Sequence, residues 1–233
     1  MKKLLLAGAF MLMASVAANA QFMTSSSTGN GLKTSTVSNL SADLPSQYGS
    51  IKFTYSPVNT VMKVDDDKET EDGMNALGFG WTNANIISGT PAYFEYGLGV
   101  KWMFEKDTEK VYGEKYTTRT DFITMKLPVG LACRINIPNT KVTLVPAAGF
   151  DFLLHLSGQS TVKYDGEKES TNLFGDDSDF RRFNIDWHIG GKIVFDNCFF
   201  IGAEYEGPVR PLYKEDDTKM YFSMANLSIG LEF

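Results

Sequence analysis

Histidine and cysteine are scarce in this chain of 233 residues, which contains two of each. Two cysteines do not make the disulfide framework of a small secreted protein, and two histidines leave few candidates for a general base. The formal net charge is −6, whereas proteins that bind nucleic acid present a basic face. The composition therefore argues against disulfide-stabilised and nucleic-acid-binding proteins and gives little support to an enzyme.

Long apolar runs are also missing after the N-terminus. Residues 1–20 begin with the basic Met1-Lys2-Lys3, continue with an apolar stretch and end on Ala18-Asn19-Ala20. This order predicts a secretory signal peptide that is cleaved before Gln21. No later stretch approaches the ~20 apolar residues of a membrane helix. An exported chain of this kind can enter a membrane only as a closed barrel.

Two further segments follow the signal peptide. Residues 21–48 are rich in Ser, Thr, Asn and Gly and have little periodicity, which predicts a flexible N-terminal segment. Residues 49–233 alternate apolar and polar side chains with period two in eight stretches. A length of this order is common for a single all-β domain. We therefore expect one barrel domain over residues 49–233.

The connections between the eight stretches alternate in length. The stretches lie near residues 50–62, 75–86, 92–104, 121–135, 141–156, 182–195, 198–206 and 221–233. Long polar loops follow the first, third, fifth and seventh: Lys63–Gly73, Glu105–Thr120, Gly158–Arg181 and Gly207–Met220. Short turns, which contain Ser88, Asn139 and Asp196, follow the others. The pattern predicts an all-β, eight-stranded antiparallel up-and-down transmembrane β-barrel whose long loops face the cell exterior and whose short turns face the periplasm.

The two faces of each strand differ, because side chains of a strand point alternately to opposite sides. In Ile123–Cys133 the odd positions are apolar and the even positions are small or charged. A soluble barrel with its apolar face inward would enclose Trp81, Trp102 and Trp187, more bulk than eight strands hold. We therefore expect the apolar face to point outward into lipid.

The polar face then lines the lumen. Its charged residues are Lys52, Glu95, Lys101, Lys126, Asp151, Asp186, Lys192, Glu204, Glu206 and Glu232. We expect this lumen charge network to be paired across adjacent strands and to fill the barrel, because eight strands leave no aqueous channel and an unpaired buried charge is costly. The alternative is that these charges line a narrow ion path.

Aromatic residues and cysteines give further expectations from the same alternation. Strand-end aromatics suggest interfacial girdles: Tyr55, Tyr93, Trp102, Phe104, Phe183, Phe195, Tyr205 and Tyr221. The register predicts that Cys133 points outward and Cys198 inward, both as free thiols.

Few residues of the sequence suggest a catalytic or metal-binding site. His155-Leu156-Ser157 is the main candidate, because period two places His155 and Ser157 on one side of a strand, as a base and a nucleophile require. The pair falls on the inward register, however, and no glutamate partner can be assigned. The acidic run from Asp65 to Asp72 matches no calcium-loop spacing. We predict no catalytic residue, no metal site and no cofactor.

Several short motifs, in their order and spacing, resemble a known group of proteins. They are Ala18–Gln21, Met125–Gly130, Pro146–Phe150, Asn184–Gly191 and Leu227–Phe233. The chain resembles the Bacteroidetes outer-membrane β-barrel group that is often catalogued as porin-like or PorT-like, with an architecture similar to small OmpA-type and OmpX-type barrels. The resemblance implies insertion by the barrel assembly machinery, which reads a final strand that ends in an aromatic residue, here Phe233.

The predicted function follows from the barrel and its loops. We expect a non-enzymatic outer-membrane protein that acts as an envelope scaffold or interaction protein, with exposed acidic loops and contacts to outer-membrane lipid and lipopolysaccharide. The alternative is a minor channel or a PorT-like accessory of a secretion system with an unknown extracellular or secretion-system partner. The sequence does not indicate a ligand for either of these two functions.

Overall fold

The structure of the protein is a computed structural model. It describes residues 44–64, 67–88, 90–111, 114–164, 167–175, 178–215 and 218–233. The predicted signal peptide and residues 21–43 of the predicted flexible segment lie outside the described residues, so both stay predictions.

Eleven strands make up the described part of the chain. They are β1 (Gln47–Val64), β2 (Asp67–Ile86), β3 (Ala92–Val111), β4 (Glu114–Cys133), β5 (Ile135–Asn136), β6 (Val142–Tyr164), β7 (Glu167–Asn172), β8 (Phe183–Phe195), β9 (Phe199–Pro208), β10 (Tyr213–Glu215) and β11 (Thr218–Glu232). Among these residues, no helix is long and apolar enough to cross a membrane.

Eight of the strands form a closed antiparallel ring. The order around it is β1-β2-β3-β4-β6-β8-β9-β11, and β11 pairs back onto β1 from Ser50↔Glu232 to Val64↔Thr218. Each strand of the ring pairs with the next ring strand along the chain. The three short strands β5, β7 and β10 add to the rims of the ring. The prediction of an all-β, eight-stranded antiparallel up-and-down barrel is confirmed.

The predicted long loops are mostly strand, so that prediction was wrong in detail. β1 continues to Val64 and β2 begins at Asp67, while β3 continues to Val111 and β4 begins at Glu114. β6 likewise extends into a hairpin with β7. Polar side chains on both faces suggested loops, but the backbone still requires hydrogen-bond partners, and pairing supplies them. The connections are therefore extended β-hairpins.

Beyond the ring these hairpins separate into two sheets. One sheet, which we call the first arm, consists of the ends of β10, β11, β1 and β2. The ends of β3, β4 and β6 together with β7 form the second arm. The pairing of β2 with β3 covers Asn75↔Phe104 to Ile86↔Tyr93, and the arms diverge beyond it.

Large apolar side chains cover the outside of the ring. We call this surface the outer belt; examples are Phe53, which is 63% exposed, and Phe79, which is 50% exposed. Its other members include Leu77, Trp81, Phe94, Leu98, Val100, Trp102, Ile123, Leu127, Leu131, Phe150, Phe152, Ile201, Leu227 and Ile229. The intervening residues of the same strands face the lumen, as the period-two pattern predicts.

Two residues of the sequence-based register are placed differently in the structure. Tyr93, predicted for the aromatic girdle, is fully buried, and its hydroxyl donates to the Pro45 carbonyl at 2.6 Å. Cys198, predicted to face inward, is exposed in the turn between β8 and β9. Asp196 and Asn197 in this turn have positive φ angles, so the chain reverses here before the alternation resumes at Phe199. Both cysteines are free thiols.

Candidate functional site: the charged barrel interior

Lys126 lies at the centre of a cluster of carboxylates inside the barrel. It projects from β4, and its Nζ lies 2.8 Å from Asp151 Oδ2 and 3.4 Å from Glu204 Oε1. The same ammonium donates to Glu206. Asp151 Oδ1 also accepts a hydrogen bond from His188 Nδ1 at 3.0 Å. One cation thus contacts three carboxylates, all of them buried or half-buried.

Lys101 adds a second cation from β3. Its Nζ lies 2.7 Å from Glu206 Oε2, and the two side chains are 8% and 1% exposed. β3 and β9 are not neighbours in the ring, so this ion pair crosses the lumen. The contacts of Lys126 with Glu204 and Glu206 cross it as well, because they join β4 to β9.

These crossings differ from the expected pairing between adjacent strands. Of the contacts in this cluster, Lys126–Asp151 and His188–Asp151 join neighbouring strands, whereas those with β9 do not. The physical reason is the small radius of the ring: a lysine is long enough to reach the opposite wall of an eight-stranded barrel. The ion pairs across the lumen therefore connect strands that are not neighbours in the ring.

Glu232 forms a second cluster near the short turns. Lys192 Nζ lies 2.9 Å from Glu232 Oε2, and Arg134 donates to Glu232 Oε1. Both cations lie over the ring of Tyr48, at 4.6 Å for Lys192 and 5.0 Å for Arg134. Sequence reasoning missed Arg134, which lies immediately after β4; extending the alternation by two residues from Ala132 would have placed it inward.

The remaining predicted lumen residues have less direct partners. Glu95 accepts a hydrogen bond from the Tyr48 hydroxyl at 2.7 Å. Lys52 lines a cavity of about 60 Å³ together with Glu204. Asp186 is 2% exposed, and its Oδ1 has no hydrogen-bond partner among the described residues. It lies opposite Asp151 in the β6–β8 register, close to the Lys126 cluster.

Apolar side chains close the lumen on both sides of these charges. Towards the arms lie Val58, Met74, Ala76, Met103, Phe122, Phe174, Leu212, Phe222 and Met224, which we call the arm-side cap. Towards the short turns lie Tyr48, Ala84, Tyr93, Ala132, Val145, Val194 and Phe200, which we call the turn-side cap. The sequence pattern did not reveal these caps, because apolar residues at strand ends resemble members of an aromatic girdle. The charged layer lies between the two caps.

The histidine candidate for catalysis does not form a pair with the serine. His155 is 2% exposed, hydrogen-bonds Thr124 Oγ1 through Nδ1 at 2.8 Å, and stacks on Phe174 with ring centroids 5.5 Å apart. The β4–β6 register shifts here, from Ile123↔Ser157 to Thr124↔His155, which makes Leu156 a β-bulge. Ser157 is consequently exposed on the outside. The expectation that His155 and Ser157 share one side was wrong, because the bulge adds one residue to the alternation.

The only described grouping of carboxylates compact enough to hold a metal ion is Asp151 with Glu204 and Glu206, whose oxygens lie within 4.8 Å of one another. The Lys126 ammonium contacts all three, so these oxygens already share a cation. In the acidic run, Glu69 and Glu71 are exposed on β2, whereas Asp65 and Asp66 lie outside the described residues.

The C-terminal Phe233 completes the ring beside β1. Its amide donates to the Gly49 carbonyl at 2.9 Å, and the Gly49 amide donates to the Phe233 carbonyl at 2.7 Å. The Phe233 side chain is 70% exposed at the turn-side end of the barrel. Added to Gly49, a Cβ would lie 2.6 Å from the Phe233 ring, so this exposed ring packs directly over the Gly49 backbone.

Comparisons with known proteins give weak similarity to small barrels. No protein-family model matches the chain, and no curated protein matches it. Among solved structures, Ail, the attachment invasion locus protein of Yersinia pestis, is 19% identical over 81% of this chain and 100% of its own, with a TM-score of 0.40. Neisserial surface protein A is 7% identical over 81% of this chain and 98% of its own, with a TM-score of 0.34.

The outer membrane enzyme PagL is a further structural match. It is 13% identical over 75% of this chain and 97% of its own, with a TM-score of 0.32. At these identities and TM-scores the matches carry no conclusion about what the chain does. The assignment of the barrel rests on its own ring of paired strands.

Proposed function

We propose that the protein spans the bacterial outer membrane as a closed barrel and acts as a non-enzymatic scaffold that presents its two arms outside the cell. The single observation that carries this proposal is the outer belt. On β3 it runs from Phe94 to Trp102, eight residues further along the strand. A strand tilted by about 40° rises roughly 2.5 Å per residue, so the belt is about 20 Å tall on this strand, close to the ~25 Å of the apolar band of outer-membrane barrels.

The filled interior favours a scaffold function and argues against a channel function. The two apolar caps lie on either side of the charged layer, and three cavities among these side chains measure about 10, 30 and 60 Å³. Each of the three holds a few water molecules at most, since one buried water requires roughly 10–15 Å³ of such space. Steady ion conduction would require the caps and the cross-lumen ion pairs to move apart.

Orientation and assembly form part of the same proposal. The arms face the cell exterior and the short turns face the periplasm, as in outer-membrane barrels with unequal connections. The predicted signal peptide directs export, and the barrel assembly machinery recognises the final strand that ends at Phe233. The resemblance to the Bacteroidetes porin-like or PorT-like barrels belongs to this proposal too.

The partners proposed are outer-membrane lipid and lipopolysaccharide around the belt, and an unidentified partner at the arms. The buried environment of His155 and the outward position of Ser157 support a non-enzymatic protein. The secretion-accessory alternative predicts a different phenotype: deletion of the gene would block the export of specific cargo while the envelope stays intact. Loss of envelope integrity without an export defect is the result expected for a scaffold.

The proposal is tested on purified full-length mature protein in detergent and in planar bilayers. We expect the folded protein to migrate faster than the boiled protein on gels, because a barrel resists detergent until it is heated. We also expect little or no steady conductance in bilayers. Large reproducible channels from the pure protein would contradict the scaffold and favour the channel alternative; loss of heat-modifiable migration would contradict membrane insertion as a barrel.

A further inference from the structure

Each arm has one sheet face that continues the lumen-facing surface of the ring. In the first arm, Phe222 belongs to the arm-side cap and lies opposite Thr60. In the second arm, Met103 belongs to the same cap and lies opposite Phe122. Every second residue beyond these positions projects from the same face of its sheet. We call the two faces the inner walls; they lie on opposite sides of the barrel axis, because each arm extends one half of the ring.

Charge alternates in sign along the edge strand of the second arm. On β3, Glu105, Asp107 and Glu109 share the inner wall with Met103, whereas Lys106 projects from the outer face. The alternation has the period of the strand itself, so it separates the two signs onto the two faces of the sheet. The inner wall receives the carboxylates.

The facing edge of the first arm repeats this separation. On β2, Glu69 lies opposite Met62 and Glu71 lies opposite Thr60, so both carboxylates belong to the inner wall. Lys68, between them and the tip of the hairpin, projects from the outer face. The two edges that adjoin where the arms separate are therefore both acidic on the inside.

The carboxylates of the two edges lie close together at the point of separation. A Cβ added to Gly73 on β2 would lie 2.6 Å from Glu105 Oε1 on β3. Burial, followed by the charges of Glu71 and Asp107, raises the pKa of the Glu105 carboxyl, which lies beyond the outer belt. Negative charges of both arms thus face one another here.

The remaining two edges of the arms are acidic as well. Glu167 and Glu169 on β7 lie opposite Tyr164 and Val162 of β6, on the inner wall of the second arm. Glu215 of β10 pairs with an inward-facing residue of β11. No lysine or arginine of the described arm strands projects from either inner wall. None of the wall carboxylates forms a salt bridge with a described residue.

Between its acidic edges, each inner wall has an apolar centre. In the first arm, Met62 and Val64 project from β1, and Val64 is 49% exposed. In the second arm, the rings of Tyr116 and Tyr164 stack with centroids 4.5 Å apart, and Val162 is 38% exposed. An apolar centre surrounded by a polar rim is the composition of a protein–protein interface. The walls therefore have the properties of a docking surface.

We propose that the inner walls bind a cationic peptide segment of an external protein, with its apolar residues against the wall centres and its lysines or arginines at the acidic edges. Charge complementarity selects this occupant, because the described wall side chains carry charge of one sign only. A divalent cation would neutralise carboxylates but leave the apolar centres exposed. The inference rests on the proposed presentation of the arms outside the cell, and it names the chemistry of the partner.

The test measures peptide binding to the mature full-length protein, folded in a nonionic detergent, by fluorescence anisotropy. The probe is a labelled nonapeptide in which lysine alternates with valine. In one control peptide serine replaces valine, and in the other glutamate replaces lysine. We expect the lysine–valine peptide to bind, the lysine–serine peptide to bind roughly fivefold more weakly because it buries less apolar surface, and the glutamate–valine peptide not to bind. Equal affinity for the lysine–valine and lysine–serine peptides would overturn the proposal, since any polycation would then suffice.

The wall variant E69Q/E71Q/D107N/E109Q removes four exposed carboxylates from the adjoining edges. We expect its affinity for the lysine–valine peptide to fall about tenfold, as the loss of several exposed ion pairs predicts. The matched control T70K/T108K/Q159K/S170K changes the net charge by the same amount on the outer faces of the arms. It should bind within about twofold of the parent at physiological salt, which screens distant charges.

A second variant tests the apolar centres without changing the charge. V64S/V162S should weaken binding of the lysine–valine peptide and leave binding of the lysine–serine peptide unchanged. Equal losses in the wall variant and its control would overturn the proposal, because binding would then follow net charge; full affinity in the wall variant would overturn it as well. A parent without heat-modifiable migration contradicts the proposed barrel, whereas a folded parent that does not bind the lysine–valine peptide contradicts only this inference.

Discussion

Lys101 and Glu206 project from strands that are not neighbours, and their side chains meet across the lumen with Nζ and Oε2 2.7 Å apart. Glu206 also accepts from Lys126, so two lysines share one carboxylate that is 1% exposed. Removing one partner of a buried ion pair leaves an uncompensated charge and costs about 3–5 kcal/mol. The geometry therefore makes the stability of the barrel depend on contacts between its opposite walls.

The first prediction isolates the contribution of the Lys101–Glu206 contact to the free energy of unfolding. Lys101→Met should lower the free energy of unfolding by about 3 kcal/mol, because Glu206 loses one of its two cations. The double variant Lys101→Met with Glu206→Gln should lose less than the sum of the two single changes, since residues in direct contact are coupled. Urea unfolding in lipid vesicles measures all three. Simple additivity would show that the two side chains do not interact in the folded protein.

Lys126 should be the most sensitive lysine of the interior. Its ammonium contacts Asp151, Glu204 and Glu206, so Lys126→Met leaves three carboxylates close together with one cation fewer. We expect a lower unfolding midpoint than for Lys101→Met. Lys168→Met is the matched control, because Lys168 is exposed on β7 and such substitutions change stability by about 0.5 kcal/mol or less. Equal midpoints for Lys126→Met and Lys168→Met would contradict the ion-pair cluster.

Gly190 should tolerate no side chain. A Cβ at this position would lie 2.3 Å from the Ala203 carbonyl oxygen and 2.5 Å from the Glu204 Cα on the adjacent strand. Gly190→Ala must therefore separate β8 from β9, and we expect a loss of about 2 kcal/mol. At Gly175 the nearest atom to a new Cβ is the Asn172 carbonyl oxygen at 3.7 Å, so Gly175→Ala is the control. Unfolding curves that coincide for the two variants would show that the strands separate at no cost.

The native cysteines report the orientation of the barrel. Cys198 is exposed in a short turn, and Cys133 is half-buried at the end of β4. In the Cys133→Ser variant, a membrane-impermeant maleimide should label Cys198 only after the outer membrane is permeabilised. A cysteine introduced by Lys110→Cys in the second arm should react on intact cells. Labelling of Cys198 on intact cells would mean that the short turns face outward.

The ring and its two faces were predictable from the sequence alone. Stretches such as Ile123–Cys133 alternate strictly, and the alternation of strand side chains is a local property of the backbone. It therefore places apolar residues on one face without any knowledge of the partner strand. The same rule predicts which charged residues face the lumen.

Only the tertiary structure decided which side chains meet. Closure of eight strands into a narrow ring brings Lys101 to Glu206 and Arg134 to Glu232, pairs that are 105 and 98 residues apart in the chain. The bulge at Leu156 separates His155 from Ser157, and pairing within the first arm places Lys63 opposite Lys219. Such contacts depend on strand register and barrel radius, which arise from the sum of many backbone pairings. The sequence determined which face each residue occupies within a strand, and the packing of the closed ring determined its neighbours.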